Sequence, residues 1–441
     1  MRFTRFLPFG SCRSPSKASA AAAAAVCLAS AAFASPVLAA PVYGFVGTID
    51  IPAAVSNPSG TFVGYDLSVF DATSQLYYLT DRSNNGIDVF SSKPNSVIER
   101  IGAGLFSGAT PSNDNAGPNG ITISNVAGGK LLIAGNGPST FLSFSLLSDG
   151  LTVVGSPRTT STAVLGTPTP PNRVDGVAYA PTTNTILAAN NAATPGFITL
   201  VDNATNTVIK SIKLDGTGGY PDVKGDGVEA TIFNTARGTF FVAVPVFNGS
   251  GAGGVIELNA ATGALVHTYD FNALGLVGGC SPTGMAQGNG ASVVVACGDS
   301  PTQTIVLDPA GIGSIKAVTQ ISGGDQVSFD PVRNIFFEAA RFQVGGPVLG
   351  IIDGSTGSFL QNLPITFNDH SVAVDPITGK VFVAFGASTA SHPNPFCAAG
   401  CIGIFAPLAV PEPGSLPLLG IGLAGLIGLA LRRRPAVGFA P

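Results

Sequence analysis

One sequence theme recurs between about residue 42 and residue 408. A polar or Gly-rich lead-in precedes an apolar strand, and an Asp-Pro or Asn-Thr type of turn leads into a second strand. A Gly/Asn/Ser-rich loop follows, then a third strand ending near Asp and often a fourth. The clearest copy, RVDGVAYAPTTNTILAANNAATPGFITLVDNATNTVIKSIKLDG, starts at Arg173, and others start at Tyr65 and His370. The first apolar residues after the lead-ins are Leu67, Ile121, Val177, Val228, Met285, Val327 and Val372, with a mean spacing of about 51 residues. Four short strands cannot bury their own faces, so units of about 40–50 residues with this content stack radially. Period-2 alternation rich in Val, Ile, Phe and Thr supports strands throughout, and no segment between the two ends reads as a helix. The pattern predicts an all-β, seven-bladed propeller of four-stranded antiparallel blades over residues 40–408.

The last copy supplies three strands. A lone strand, Val42 to Ile51, stands before the first copy. Pairing it as the outer strand of blade seven would close the ring and cover two exposed edges. In such a ring the innermost strands begin on one face, beside a central channel. Aligning the copies places Tyr65, Asn119, Asp175, Asp226, Thr283, Asp325 and His370 at the channel mouth, with Asp66, Glu229 and Asp369 nearby. Two carboxylates about 8 Å apart repel by roughly 0.5 to 2 kcal/mol at effective dielectrics of about 80 to 20. That repulsion permits a cation without requiring one. Asn119, Asp175, Asp226, Asp325 and Asp369 therefore form a candidate polar-ligand or metal set, with the hard-oxygen character that suits Ca²⁺, Mg²⁺ or Mn²⁺. The competing reading is that Asp, Asn and Gly recur because each lead-in is a tight turn.

His370 is the candidate general base, oriented by Asp369 or Asp325. His392, in the long loop from Gly386 to Gly400, is placed to fold over the same mouth, whereas His267 falls in an outer strand. Arg82, Asn190, Glu338 and Arg341 end second strands on that face. No serine-elbow, Walker-type or zinc-type spacing occurs, and GSGAGG from Gly249 reads as a hairpin loop.

The two ends differ from the repeats. Residues 1–39 join a basic leader, an Ala-rich apolar run from Ala20 to Phe33 and small-residue cleavage points, the layout of a secretory signal peptide. Residues 409–441 hold Pro411-Glu412-Pro413, an uncharged stretch from Gly414 to Leu431, and Arg432-Arg433-Arg434. Those 18 residues make about 27 Å of helix, enough for a single transmembrane helix with the Arg cluster kept cytoplasmic. Cys12 and Cys27 leave with the leader. In an oxidising compartment the other four cysteines are expected to pair. Cys280 and Cys297 bracket neighbouring antiparallel strands, and Cys397 and Cys401 form a CxxxC for which a local bridge competes with a metal or redox role.

Charge narrows the partners. Setting aside Arg2, Arg5, Arg13, Lys17, Glu412 and Arg432 to Arg434, the 25 acids and 21 bases of the chain become 24 and 14. So acidic a body avoids nucleic acid and anionic lipid. The hydrophobic content, 45%, excludes wholesale disorder.

The Pro-Glu-Pro motif, apolar stretch and Arg cluster, in that order over about the last 30 residues, resemble the PEP-CTERM sorting signal of Gram-negative bacteria. The resemblance implies export by signal peptidase, transient inner-membrane anchoring and release by an exosortase-type protease to the cell surface or matrix. A permanent single-span anchor is the alternative. The segment ILAANNAATPGFITLVDNATNTVIKSIKLDG resembles the YVTN/NHL type of propeller repeat. Gluconolactonase-like and streptogramin-lyase-like propellers of that kind place metal ligands or an acid/base His at the mouth. The expectation is an exported binding or scaffold module acting through its channel-mouth face, with extracellular polysaccharide as the candidate partner. A metal-dependent, lactonase-like hydrolase or lyase using the same face, with Ca²⁺ or another divalent cation, and a purely structural matrix protein are the alternatives.

Overall fold

The computed structural model describes residues 41–163, 172–224, 227–298 and 303–408. The leader, the sorting segment from 409 onward and Asp226 lie outside the described residues.

The described strands form seven four-stranded antiparallel sheets, six of them meanders of consecutive strands. Blades one to six occupy residues 65–101, 121–161, 177–213, 231–270, 282–318 and 327–364. Blade seven takes its three inner strands from residues 372–407 and its outermost strand from Tyr43–Asp50. The first strands of successive blades neighbour one another around the ring, and that of blade seven meets that of blade one. Among the described residues a three-residue 3₁₀ turn, Asn113–Asn115, is the one helical element. None of them forms a helix long and apolar enough to cross a membrane.

Side chains of a strand alternate between the two faces of its sheet. In a propeller both faces meet a neighbouring blade, so the middle strands are buried along their whole length. Leu76–Asp81 and Val381–Phe385 are buried at every position. Adjacent residues therefore serve different cores. Phe240 packs toward blade three with Leu187 and Ile198, and Phe241 packs toward blade five with Val293 and Val295. Seven apolar clusters result, one in each gap between blades.

The closing strand Tyr43–Asp50 pairs antiparallel with Cys401–Pro407, from Tyr43 opposite Pro407 to Asp50 opposite Cys401, with a bulge between Phe45 and Gly47. Each inner strand runs from the channel mouth to the opposite face. The turns between strands one and two and between strands three and four therefore lie on that opposite face. Cys280–Cys297 and Cys397–Cys401 are disulfides. The first joins the lead-in of blade five to the end of its second strand, where Pro282 faces Cys297 across the ladder. The second ties the blade-seven loop to the start of its third strand.

Candidate functional site

The mouth is set by one backbone bond repeated around the ring. The amide nitrogens of Asn119, Asp175, Glu229 and Asp325 donate to Gly135, Ala189, Ala243 and Ala339, carbonyls near the ends of their blades' second strands, at 2.8–3.1 Å. By this register blade four contributes Glu229, where alignment of the copies had pointed to Asp226. The first strand there begins at Thr231, and Val228 is a buried core residue of the lead-in. A polar Thr231 at the first strand position hid the register.

Blade one differs for a like reason. The strand position in phase with Ile121 and Val177 is the polar Ser68, opposite Leu79, so Asp66 takes the ring position that counting from Leu67 gives to Tyr65. The ring is thus Asp66, Asn119, Asp175, Glu229, Thr283, Asp325 and His370.

Neighbouring blades touch directly behind these side chains. Gly120 N donates to Asp175 O, Ala230 N to Thr283 O, and Gln326 N to His370 O, at 2.8, 3.0 and 3.2 Å. A Cβ on Gly120 would lie 2.0 Å from Asp175 O, and one on Gly284 would lie 1.6 Å from Asp325 O. The Asn-Gly, Asp-Gly and Thr-Gly pairs at 119, 175 and 283 therefore permit close approach between blades, which is a different reason from the turn chemistry read in the sequence.

The ring surrounds a cavity of about 520 Å³, lined among others by Asp66, Arg82, Asp175, Glu229, Asp325 and Arg341. Its carboxylates are met by arginines. Arg82 Nη2 pairs with Asp66, Arg173 Nε lies 2.9 Å from Asp175, and Arg341 Nη1 lies 3.0 Å from Asp325. Arg82 also donates from Nη2 and Nε to Asn119 Oδ1 at 2.7 and 3.0 Å, tying blade one to blade two. Asn119 in turn donates to the Val174 carbonyl at 2.9 Å. Arg341 is the least enclosed of the three, with its side chain 25% exposed and its guanidinium over the Phe342 ring.

Among the described residues Glu229 is paired with no arginine. Burial, and then the nearby Asp175 and Asp325 charges, push its carboxyl well above the usual range. Burial acts against charge on Asp175 too, but Arg173 outweighs it and holds that carboxyl low. Asn191 Nδ2 spans the pair, 2.8 Å from Asp175 Oδ2 and 3.4 Å from Glu229 Oε1. The surroundings thus favour a proton on Glu229 and disfavour one on the neighbouring Asp175. Burial lifts Asp66 to about 7 against the pull of Arg82.

His370 stacks on Tyr65 at 4.5 Å, and Tyr65 stacks on Phe62 at 4.6 Å. Its Nδ1 lies 2.6 Å from the Asn368 carbonyl, to which it donates. Burial drives its pKa down to about 4, so the ring is neutral and a weak base at pH 7. Asp369 turns away from the channel, accepting from Thr366 Oγ1 at 2.8 Å and from Gly386 N at 3.2 Å.

The other second-strand residues divide. Arg82 and Arg341 line the mouth. Asn190 is buried, donating to Asn172 O at 3.0 Å. Glu338 is buried between blades five and six, accepting from Thr304 Oγ1 at 2.9 Å. His267 lies on an outer strand beside the Ile312 carbonyl. His392 stacks on Phe367 at 3.6 Å and shares a cavity of about 150 Å³ with Tyr65 and Asn368, beside the mouth.

Among the described residues no three His, Cys, Asp or Glu side chains converge as metal ligands. Among the described ring carboxyls, Asp66, Asp175 and Asp325 are each met by an arginine, and Asp226, the other candidate ligand of blade four, lies outside the described residues. The Cys397–Cys401 bridge likewise leaves no free thiolate in the blade-seven loop. Reading the sequence alone missed Arg173 and Asn191. Arg173 precedes Asp175 by two residues, and in extended chain such residues share a face, a signal that was available.

Residues 409–434 match the PEP-CTERM protein-sorting motif. That motif indicates export through an exosortase system, with a membrane-anchored C-terminal signal before processing. No curated protein sequence matches the chain. Among solved structures, a chain of a mitotic checkpoint complex aligns at TM-score 0.57 and 12% identity, covering 91% of this chain and 98% of its own. Hydrazine synthase of Kuenenia stuttgartiensis aligns at TM-score 0.55 and 10% identity, covering 74% and 93%. The WD40 domain of Neurospora crassa Pan2 aligns at 0.51 and 10%, covering 85% and 98%. At such identities these likenesses show the fold, a seven-bladed propeller with WD40-like neighbours, and the C-terminal match shows how the chain is sorted.

Proposed function

We propose that this protein is an exported binding module of the cell surface or extracellular matrix, and that its channel mouth takes an uncharged, hydroxyl-rich ligand such as a polysaccharide. The observation that carries this reading is the neutralised ring. Arg82, Arg173 and Arg341 are balanced by Asp66, Asp175 and Asp325, so the cavity offers donors and acceptors in alternation with little net field. Ligand hydroxyls both donate and accept and suit that surface. The Phe342 and Phe367 side chains, each about half exposed, stand beside the mouth on the lead-in and loop segments of blades six and seven. Aromatic faces there suit the apolar C–H faces of a sugar ring. The ILAANN…NATNTVIKSIKLDG segment supports a YVTN/NHL-type origin for the repeat.

Isothermal titration with a soluble neutral glucan and with alginate tests the reading. The glucan is expected to bind with little salt dependence, and Arg341→Ala and Phe367→Ala are each expected to weaken it about tenfold. Binding of alginate alone, or of neither polymer, would overturn the polysaccharide assignment.

A further inference from the structure

The path of blade seven fixes where the chain leaves the propeller. Its third strand, Cys401–Pro407, starts at the mouth face and ends on the opposite face, where Leu408 N donates to Val42 O at 2.8 Å. Tyr43 lies opposite Pro407, so the closing strand also enters from that face. Six residue steps separate Leu408 from Gly414, the start of the uncharged stretch. Fully extended, they reach at most about 20 Å. The body is at least as deep as that seven-residue strand, about 23 Å, before the loops on either face are added. Such a tether cannot pass round the body to the mouth.

A second observation concerns the face where the tether leaves. Ile312, Val332 and Ile377 cap turns of blades five, six and seven there, 80%, 71% and 54% exposed, on the same face as the half-exposed Leu408. The last two turns are fastened together, since Arg333 Nη1 donates to the Pro376 carbonyl at 3.0 Å. Apolar tips on three consecutive blades, on the face from which the tether leaves, form a surface that suits the interfacial region of a bilayer. The acidic body gains nothing from anionic headgroups, so the contact is apolar in kind.

We infer that the anchored precursor rests on the lipid surface through the blade-five to blade-seven turns of its tether face and holds its channel mouth away from the bilayer. The ligand site is then open to the exterior before the sorting signal is removed. Phe342 and Phe367, on the mouth face, stay out of lipid and free for ligand.

The test uses the full chain, reconstituted without protease in vesicles of three parts phosphatidylethanolamine to one part phosphatidylglycerol, with spin-labelled lipid as quencher. A fluorophore is attached at Val332→Cys or at Phe342→Cys. The probe at 332 is expected to be quenched several-fold more strongly than the probe at 342. A twelve-residue Gly/Ser insertion after Leu408 is expected to reduce that difference, and Ile312→Ser with Ile377→Ser to reduce quenching at 332. Equal quenching at the two sites, or stronger quenching at 342, would overturn the orientation. Unchanged quenching at 332 in the double Ser variant would overturn the apolar seat.

Discussion

At the scale of single residues the mouth is organised by how each buried charge is answered. Arg82 answers Asp66 in blade one and Asn119 in blade two, so its loss strands a buried acid and opens a seam between blades. Breaking one partner of a buried pair costs about 3–5 kcal/mol. Arg82→Ala is therefore expected to lower the denaturation midpoint sharply in chemical unfolding, well beyond Arg341→Ala, whose side chain is more exposed.

Protonation follows the same logic with a definite sign. Burial raises Glu338 to about 8 and Asp369 to about 7. A carboxyl with a raised folded pKa binds its proton more tightly folded than unfolded. Its contribution is complete below the unfolded pKa and is lost as pH rises through the folded value. His370, lowered to about 4, works the other way, favouring the folded state as pH rises from about 4 to about 6.5. The acids outnumber it, so thermal stability is expected to fall between pH 5 and pH 8. Glu338→Gln, neutral at every pH and still able to meet Thr304, is expected to flatten that fall in a melting series. Asp175 and Asp325 were legible in the sequence because carboxylates recur there at one phase of the repeat, and Arg82 and Arg341 because they end second strands. Arg173 belongs to a lead-in and Asn191 to a loop, where repeat phase carries no information.

At the scale of elements, strand register decided what could be read. In blades two, three, five, six and seven an apolar residue stands two places after the ring position, and there the ring follows directly. In blades one and four that place is polar, Ser68 and Thr231, so the first apolar residue after the lead-in points away from the ring residue. A polar residue there breaks the apolar pattern from which the phase is read. Glycine is the more informative sign once its cause is known. Gly284 is where blade five's backbone meets Asp325 O, and Gly284→Ala is expected to destabilise by about 1–3 kcal/mol through overpacking, checked by urea denaturation. Gly238→Ala, which meets no neighbour and has φ of +69°, separates backbone strain from contact as a control.

At the scale of the whole molecule, the seven-fold period and the missing fourth strand of the last blade made the closed ring legible before any contact was known. The closing strand buries Tyr43 in the core between blades six and seven and Ile49 in the core between blades seven and one, where Ile51 follows it. Deleting residues 43–50 is expected to expose Cys401–Pro407 as an edge strand, lower the melting temperature and produce oligomers on size-exclusion chromatography. A monomer of unchanged stability would mean that the ring holds without its clasp.

The clasp also sets a timetable. Its two halves, Tyr43–Asp50 and Cys401–Pro407, stand at opposite ends of the propeller sequence. At synthesis rates of about 5–20 residues per second, the first strand to emerge waits some tens of seconds for its partner. Throughout that interval it is an unclaimed β-edge bearing Phe45 and Val46. The partner strand is followed at once by the sorting segment, so the ring can close only when the sorting signal is next to emerge. The clasp thus ties completion of the fold to the arrival of that signal.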